Sequence, residues 1–234
     1  MTKKKKYLLN FLMLLFLISA FIITPLIGES KISISEAFRN FGSMSAEILF
    51  GIRLPRIIFS FMVGGGLALV GVIFQALLRN DLATPYTLGV SSGGAFGSVL
   101  AIKTGIIFQI AGLSTINIFS VFGSLLSVFL IYIVARNRSG LSTFNLILAG
   151  VTISLFFSAV ILFIHYLADF TETYRMVRWL MGSLDVSGWN FTIILLVFLL
   201  PVYLYFHVNI PAFNLLMAGR EVAQSKGVNV SGLQ

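Results

Sequence analysis

The sequence is poor in charge and contains no cysteine. Of its 234 residues, 16 are Lys or Arg and 8 are Asp or Glu, so the charged share is 10%, whereas hydrophobic residues make up 58%. Soluble domains carry roughly a quarter charged residues, so a water-soluble fold is excluded. The lack of cysteine excludes a disulfide framework and a thiolate metal site. Composition therefore predicts a membrane protein.

Metal-binding and nucleotide-binding patterns are also missing. The two histidines, His165 and His207, are not spaced for a metal site, and no H-E-x-x-H occurs, so we expect no metal. No G-x-x-x-x-G-K-[ST] loop occurs either, so we expect no cofactor on this chain and place any ATP, with its magnesium, on another polypeptide. The basic residues are spread over loops, which fits membrane orientation and not nucleic-acid binding.

Long uncharged runs dominate what is present. A membrane-spanning helix needs about 20 apolar residues. The run after Lys3–Lys6 is longer than the apolar part of a signal peptide, so we interpret it as a retained helix, with a signal peptide as the alternative. The third helix is short and follows Pro85, which is compatible with tilting or a break. The predicted fold is an all-α polytopic membrane domain over 1–234, with about six helices at 7–27, 57–78, 88–103, 113–135, 141–166 and 190–208.

Charge asymmetry predicts the orientation of these helices. With the N-terminus inside, the inner segments carry nine Lys or Arg and the outer segments seven, and the four-lysine start dominates the first helix. Both ends are then cytoplasmic, with 209–234 forming a cytoplasmic segment. Two segments, 28–54 and 167–189, are predicted outside the membrane. In the first, Ser33–Glu36 predicts the cap of a short interfacial helix.

Glycines dominate the third predicted helix. Gly89, Gly93 and Gly97 are spaced by four, which places them on one helix face and lets another backbone approach closely. Tight helix packing accounts for this pattern by itself. The sharper hypothesis is that Ser91 and Ser92 line a path through the protein.

The same stretch also matches a hydrolase motif. Gly89–Gly93 fits G-x-S-x-G, with Ser91 as the nucleophile, which would make an intramembrane serine hydrolase the alternative function. That motif requires a strand before the serine and a nearby histidine. No strand is predicted here, and His165 is predicted near the opposite face of the membrane. A non-transporting membrane scaffold is the other alternative.

Two charged clusters have both a structural and a functional interpretation. Arg53 and Arg56 lie just outside the second helix, where they either contact lipid phosphate or bind acidic groups of an external partner. The stretch Gly219–Gly227 follows the last helix and is either a solvated tail or a connector to a cytoplasmic partner.

These residues together resemble the permease subunits of bacterial ABC importers for ferric siderophores, haem and vitamin B12. The matching stretches follow the family's order from residue 53 to the end of the chain. They are Arg53–Arg56, Gly71–Asn80, Leu82–Pro85, Leu88–Gly93, Leu148–Val151, Trp179–Leu184 and Gly219–Val230.

The resemblance implies a transporter subunit without catalytic residues, in the inner membrane, with ATP hydrolysis on partner subunits. It implies a homo- or heterodimer with a central path, an extracytoplasmic binding protein and two cytoplasmic ATPase subunits. Arg53 and Arg56 would dock the binding protein. Ser142 and Thr143 would belong to an inner gate, and the fifth helix, with Gly150, would line the path. Gly219, Arg220, Glu221 and Gly227 would belong to the ATPase-coupling segment.

Three features depart from the family pattern. Asp81 stands where proline is common, which leaves the local loop geometry open, and Lys226 stands where leucine is usual, which puts an apolar coupling contact in question. By fold-level analogy, members of the family carry about ten membrane helices, so this chain is expected to resemble their N-terminal part.

Overall fold

The computed structural model describes residues 3–28, 30–110, 112–137, 140–184 and 188–228, and nearly all of its regular structure is helical. Two two-residue antiparallel hairpins complete it, β1 (Gln109–Ile110) with β2 (Leu113–Ser114) and β3 (Arg136–Asn137) with β4 (Gly140–Leu141). The helices are α1 (Lys3–Ile23), α2 (Ile34–Arg39), α3 (Met44–Ala46), α4 (Leu54–Leu78), α5 (Val90–Thr104), α6 (Thr115–Ala135), α7 (Thr143–Tyr166), α8 (Phe170–Met181), α9 (Asn190–Ala218) and α10 (Arg220–Ser225).

All six predicted helices are present. Among the described residues, five are long and apolar enough to cross a membrane, within Lys3–Leu26, Met44–Leu78, Thr115–Ala135, Thr143–Tyr166 and Asn190–Ala218. The remaining one, α5, has 15 residues and is the short helix that the sequence predicted after Pro85. The all-α polytopic fold class is therefore confirmed.

The largest boundary error is at the last long helix. The predicted end was 208, but α9 continues to Ala218 through Pro201 and Pro211. An internal proline removes one backbone hydrogen bond and kinks a helix, but membrane helices tolerate that loss where neighbouring groups satisfy the freed carbonyl.

Contacts divide the chain into two units, of which the first comprises residues 1–65 and 184–199. Its small core consists of Ala37, Ala46 and Leu49, all buried. Ser33 caps α2 by accepting a hydrogen bond from the Glu36 backbone, which confirms the predicted cap of a short helix.

A proline shapes the start of α4 in this unit. The preceding stretch Glu47–Arg53 is a π-helix, in which the Leu54 backbone N–H donates to the Leu49 carbonyl. Because Pro55 has no N–H, a carbonyl in the preceding turn loses its helical donor. Two backbone carbonyls of the π-helix accept hydrogen bonds from residues that precede α9. The Gly51 carbonyl accepts from the Gly188 N–H (3.1 Å), and the Phe50 carbonyl accepts from the Trp189 indole N–H (3.1 Å).

The second unit comprises residues 66–183 and 200–234, and its centre is α5 packed against α6 and α7. Phe157 on α7 is 1% exposed and stacks on Phe96 of α5 with ring centroids 5.0 Å apart. At one end of α5, Val99, Ile102 and Met176 of α8 form a further cluster. Short helix α8 is thereby fixed to the same bundle, which positions the candidate site.

Candidate translocation site

The two arginines of the predicted docking pair differ in their surroundings. Arg53 is half-buried, and its guanidinium donates from Nη1 to the Pro25 carbonyl (2.7 Å) and from Nη2 to the Ser30 carbonyl. Arg56, one turn further along, is exposed. Docking by either residue stays a prediction.

Two of the three predicted packing glycines lie on the face of α5 that meets α6. A Cβ atom placed on Gly93 would lie 2.5 Å from Cβ of Ser127 on α6, and one placed on Gly97 would collide with the Phe119 carbonyl. On the facing helix, a side chain on Gly123 would collide with Gly93. Close backbone approach of this kind is how small residues hold membrane helices together. We call this contact the α5–α6 seam.

Gly89 differs from the expectation that it shares the face of Gly93 and Gly97. It lies before α5 as the N-cap, with φ 77° in the left-handed region that favours glycine. An added Cβ would be 2.8 Å from the Gly150 carbonyl, and one on Gly150 would be 2.9 Å from Cα of Leu88. Gly89 and Gly150 thus join α7 to the start of α5.

A cavity of about 660 Å³ lies beside this contact, between α5, α7 and α8. Ser91 and Ser92 line it, as the path hypothesis requires, whereas Gly150 is used in helix packing. Its other lining residues include Ser154, Ser158 and His165 on one face of α7, and Trp179 on α8.

Three of the serine hydroxyls that line this cavity donate to backbone carbonyls of the preceding helical turn. Ser92 donates to the Gly89 carbonyl, Ser154 to Gly150 and Ser158 to Ser154, each at 2.8 Å. The hydroxyl oxygens keep lone pairs that can accept hydrogen bonds from a cargo or from water. The cavity wall therefore offers hydroxyl groups that can form weak hydrogen bonds with a cargo and exchange them for water.

The geometry does not support the hydrolase alternative. Residues 82–89 form turns and no strand, and Ser91 is the second residue of a helix. A nucleophile elbow needs a sharp strand-to-helix turn. His165 lines the same cavity as Ser91 but stands at the far end of α7, eleven residues beyond Ser154.

The predicted gate residues begin α7. Ser142 is its N-cap and accepts a hydrogen bond from the Asn145 backbone at 3.2 Å, and Thr143 is its first residue. Neither lines the cavity beside α8. Their role in a gate stays a prediction.

The predicted coupling segment is a short helix with one buried anchor. Ala223 of α10 is fully buried and packs with Leu216 and Leu77, while Glu221 is exposed. Gly219 (φ 136°) and Gly227 (φ 79°) bracket the helix in conformations that suit glycine. Lys226, the departure from the family pattern, is an exposed C-cap residue, so its effect on an apolar coupling contact stays a prediction. Arg220 is the first residue of α10, and residues 229–234 lie outside the described part.

Asp81, which stands where the family commonly has proline, lies in a hydrogen-bonded loop after α4. Its carbonyl accepts from Gln75 Nε2 at 3.1 Å, and the Asn80 side chain accepts from the Leu82 N–H at 3.0 Å. Such side-chain caps form a turn without proline.

One ion pair escaped the sequence analysis. Lys103, at the end of α5, donates to the Glu172 carboxylate (2.7 Å) and to the Leu167 carbonyl (2.8 Å). Asp169 and Glu172 form a capping box at the start of α8, and the D-x-x-E spacing was a readable signal for it. The Lys103 hydrogen bond, helped by the Asp169 backbone N–H, lowers the pKa of Glu172.

Comparison with known proteins shows which family and which permeases the sequence is similar to. Residues 12–234 match the model of the FecCD transport family. The molybdate import permease MolB of Haemophilus influenzae is 39% identical over 80% of this chain and 55% of its own length. The iron(3+)-hydroxamate import permease FhuG of Bacillus subtilis is 30% identical over 92% of this chain and 66% of its own length.

A solved structure shows the same fold. It is an inward-facing conformation of an ABC transporter assigned to the metal-chelate type, with a TM-score of 0.69 and 35% identity over 95% of this chain and 67% of that one. The chain thus spans 55–67% of the length of these relatives. The family match, which covers nearly the whole sequence, shows that the chain belongs to the FecCD transport family.

Proposed function

We propose that the chain is a permease subunit of an ATP-driven importer for iron–siderophore complexes, or for haem or cobalamin, and forms the translocation path as a dimer. The observation that carries the proposal is the cavity lined by Ser91, Ser92 and α7, which lies beside the contact of Gly89 with Gly150 in a chain of this family. The hydroxamate relative supports a siderophore, while the molybdate relative shows that the similarity extends to other cargoes.

The contacts of α10 support a route for mechanical coupling. Ala223 packs near Leu77 at the end of α4, and the adjacent Leu78 packs with Leu88 and with Leu146 of α7. Two cytoplasmic ATPase subunits that move α10 would therefore push on the helices that border the cavity. The permease would then alternate between an outward-open and an inward-open state if the ATPase subunits bind one state more tightly than the other.

The remaining assignments concern orientation and the outer partner. The four lysines at the start of α1, Lys3–Lys6, support a cytoplasmic N-terminus, and the chain would then lie in the inner membrane of a bacterium. An extracytoplasmic binding protein would dock at the start of α4 and deliver the cargo. The Gly219–Gly227 segment then faces the ATPase, which carries the ATP and magnesium.

Uptake by cells tests the proposal. Deleting the intact gene should abolish accumulation of one radiolabelled cargo among ferric hydroxamate, haem and cobalamin, and plasmid-borne gene should restore it. Because Ala223 anchors α10, Ala223→Asp should fail to restore uptake, whereas Gln224→Ala, an exposed neighbour, should restore it. Membrane levels of both variants must match by immunoblot.

The outcomes separate the possibilities. If the deletion strain took up all three cargoes normally but lost molybdate uptake, the proposed cargo would be wrong and the importer role would still hold. Unchanged uptake of molybdate as well, with no ATPase co-purifying with the intact-length protein, would overturn the importer role.

A further inference from the structure

We propose that His165 and Trp179 form a hydrogen-bonding subsite at the α8 end of the cavity, which recognises the oxygen-bearing edge of an organic metal complex. The inference deepens the proposed function and rests on it for the nature of the cargo. The subsite itself stands on the contacts of this chain, and its binding is measured separately from transport.

The cavity wall changes in character along one face of α7. Ser154, Ser158, Ile161 and His165 follow one another at intervals of four, three and four residues, and all four line the cavity. Ser154 and His165 are eleven residues apart, which is about 16 Å along a helix axis. A group bound at the imidazole is therefore out of reach of the Ser154 hydroxyl, and the two ends of the face can be tested separately.

Trp179 brings a second ring to the end where His165 lies. It packs against the buried cluster of α5 and α8 that contains Val99, Ile102 and Met176. Ile161 packs against the same cluster, and Trp179 and Ile161 both line the cavity as well. Protein contacts thus hold the indole in place beside the cavity, and a binding side chain needs such support from its neighbours.

The ring nitrogens of both residues are available to a ligand. Among the described residues, none forms a hydrogen bond with the His165 imidazole or with the Trp179 indole N–H. Both side chains are half-buried, and no buried side-chain nitrogen or oxygen in the described part of the chain lacks a partner, so these unpaired nitrogens are accessible. An indole donates one hydrogen bond, and a neutral imidazole donates one and accepts one.

The chemistry of this end favours an organic ligand over an inorganic ion. The residues that line the cavity include no Asp, Glu, Lys or Arg, so they offer no counter-charge to a bare ion that has lost its water. Two ring N–H donors suit carbonyl or carboxylate oxygens, and Ile161 and Leu180 suit an apolar body. Hydroxamates, the propionates of haem and the amides of corrinoids all present such oxygens. The subsite therefore contacts the organic edge of the complex and not its metal.

Fluorine NMR of the intact permease in detergent tests binding directly. Protein labelled with 5-fluorotryptophan is titrated with gallium(III) trihydroxamate, gallium(III) protoporphyrin and cobalamin, each up to about 1 mM so that weak binding is detected. We expect at least one of them to shift the Trp179 resonance, which is identified by its absence in Trp179→Phe. The Trp189 resonance is the control, because that indole donates to the Phe50 carbonyl and does not line the cavity.

Two substitutions test the part played by His165. His165→Phe keeps an aromatic ring but removes both nitrogens, so we expect the affinity measured at Trp179 to fall about two- to tenfold, the range for one hydrogen bond. His165→Gln retains a donor and an acceptor and should recover most of the affinity. The matched control is His207→Phe, because His207 stacks on Tyr203 of α9 and does not line this cavity. An unchanged Trp189 resonance before titration shows that each variant is folded.

The outcomes separate the subsite from the importer role. If none of the three complexes shifts the Trp179 resonance, or if His165→Phe binds as tightly as the wild type, the subsite is overturned. A shift with molybdate alone would overturn the organic class of ligand. If the NMR results agree with the subsite but deletion of the gene leaves the uptake of every cargo unchanged, the proposed function fails and the binding site stands.

Discussion

Helices α1 and α5 are both uncharged over most of their length, yet they are built in different ways. No residue of α1 is buried, and Phe16 is 74% exposed. In α5, seven residues are buried, and three of these are glycines. Hydropathy alone does not separate the two helices. Residue size does, because a helix that contacts protein on several sides needs small residues, whereas one that faces lipid can carry large ones.

The difference also predicts where the protein tolerates substitution. Most large side chains on α1 are exposed, so their exchange changes few contacts. The α5–α6 seam is made of backbone atoms at Gly93, Gly97 and Gly123 that cannot move aside independently. A single methyl group there must displace a whole helix. Predictions that compare the two kinds of surface therefore differ in size.

The largest expected effect is in the seam. Gly93→Ala places a methyl group against the Gly123 carbonyl and the Ser127 side chain, so we expect a loss of about 1–3 kcal/mol or more and a Tm lower by several degrees. The measurement is thermal unfolding of the detergent-solubilised protein, followed by intrinsic fluorescence.

Gly65→Ala on α4 is the matched control. Among the described residues, no atom outside the helix's own neighbouring backbone lies within 4 Å of a Cβ placed there. Alanine is also the better helix former, so this variant should be as stable as the wild type or more so. If Gly65→Ala destabilised as much as Gly93→Ala, a further segment or subunit would have to cover α4, and the contrast between seam and open face would fail.

A smaller effect is expected from a hydrogen bond beside the seam. Ser127 of α6 is fully buried and donates to the carbonyl of Gly89 at 2.7 Å. Ser127→Ala removes the donor between two elements, and such bonds in membrane proteins contribute about 0.6–1.7 kcal/mol.

Ser158→Ala is the control for this bond. Its hydroxyl donates within α7 to the Ser154 carbonyl, so its loss should leave the Tm close to the wild-type value. Equal Tm values for the Ser127 and Ser158 variants would show that the inter-element bond adds nothing to stability.

The sequence predicted the spans well and their contacts poorly. Runs of uncharged residues located α6 and α7 within two residues, because the bilayer imposes a length on every crossing. The glycine spacing indicated tight packing at Gly93 and Gly97. It did not show that Gly89 is a left-handed cap, since spacing carries no information on φ.

Side-chain direction limited the site prediction in the same way. The sequence motif at Arg53–Arg56 gives no reason to distinguish its two arginines. Only the structure shows that the Arg53 guanidinium donates to the Pro25 and Ser30 carbonyls. The contact joins residues 28 and 23 positions apart, respectively, and no local pattern encodes it. By contrast, the capping box of Asp169 and Glu172 is local and could have been read from the sequence.

The smallest predicted effect concerns the ion pair that ties α5 to α8. Because Lys103 lowers the pKa of Glu172 from its ordinary value of 4.5, the carboxylate form is favoured in the folded protein. Its stabilisation is present above pH 4.5 and is lost as the pH falls through the lowered pKa. Glu172→Gln should therefore lower the Tm slightly at neutral pH and reduce its acid dependence. The effect should also shrink in high salt, since the pair is partly exposed. The control is Glu221→Gln, on the exposed face of α10, which should keep the acid dependence of the wild-type Tm. If both variants gave the same dependence of Tm on pH, Glu172 would not help to hold α8 against α5.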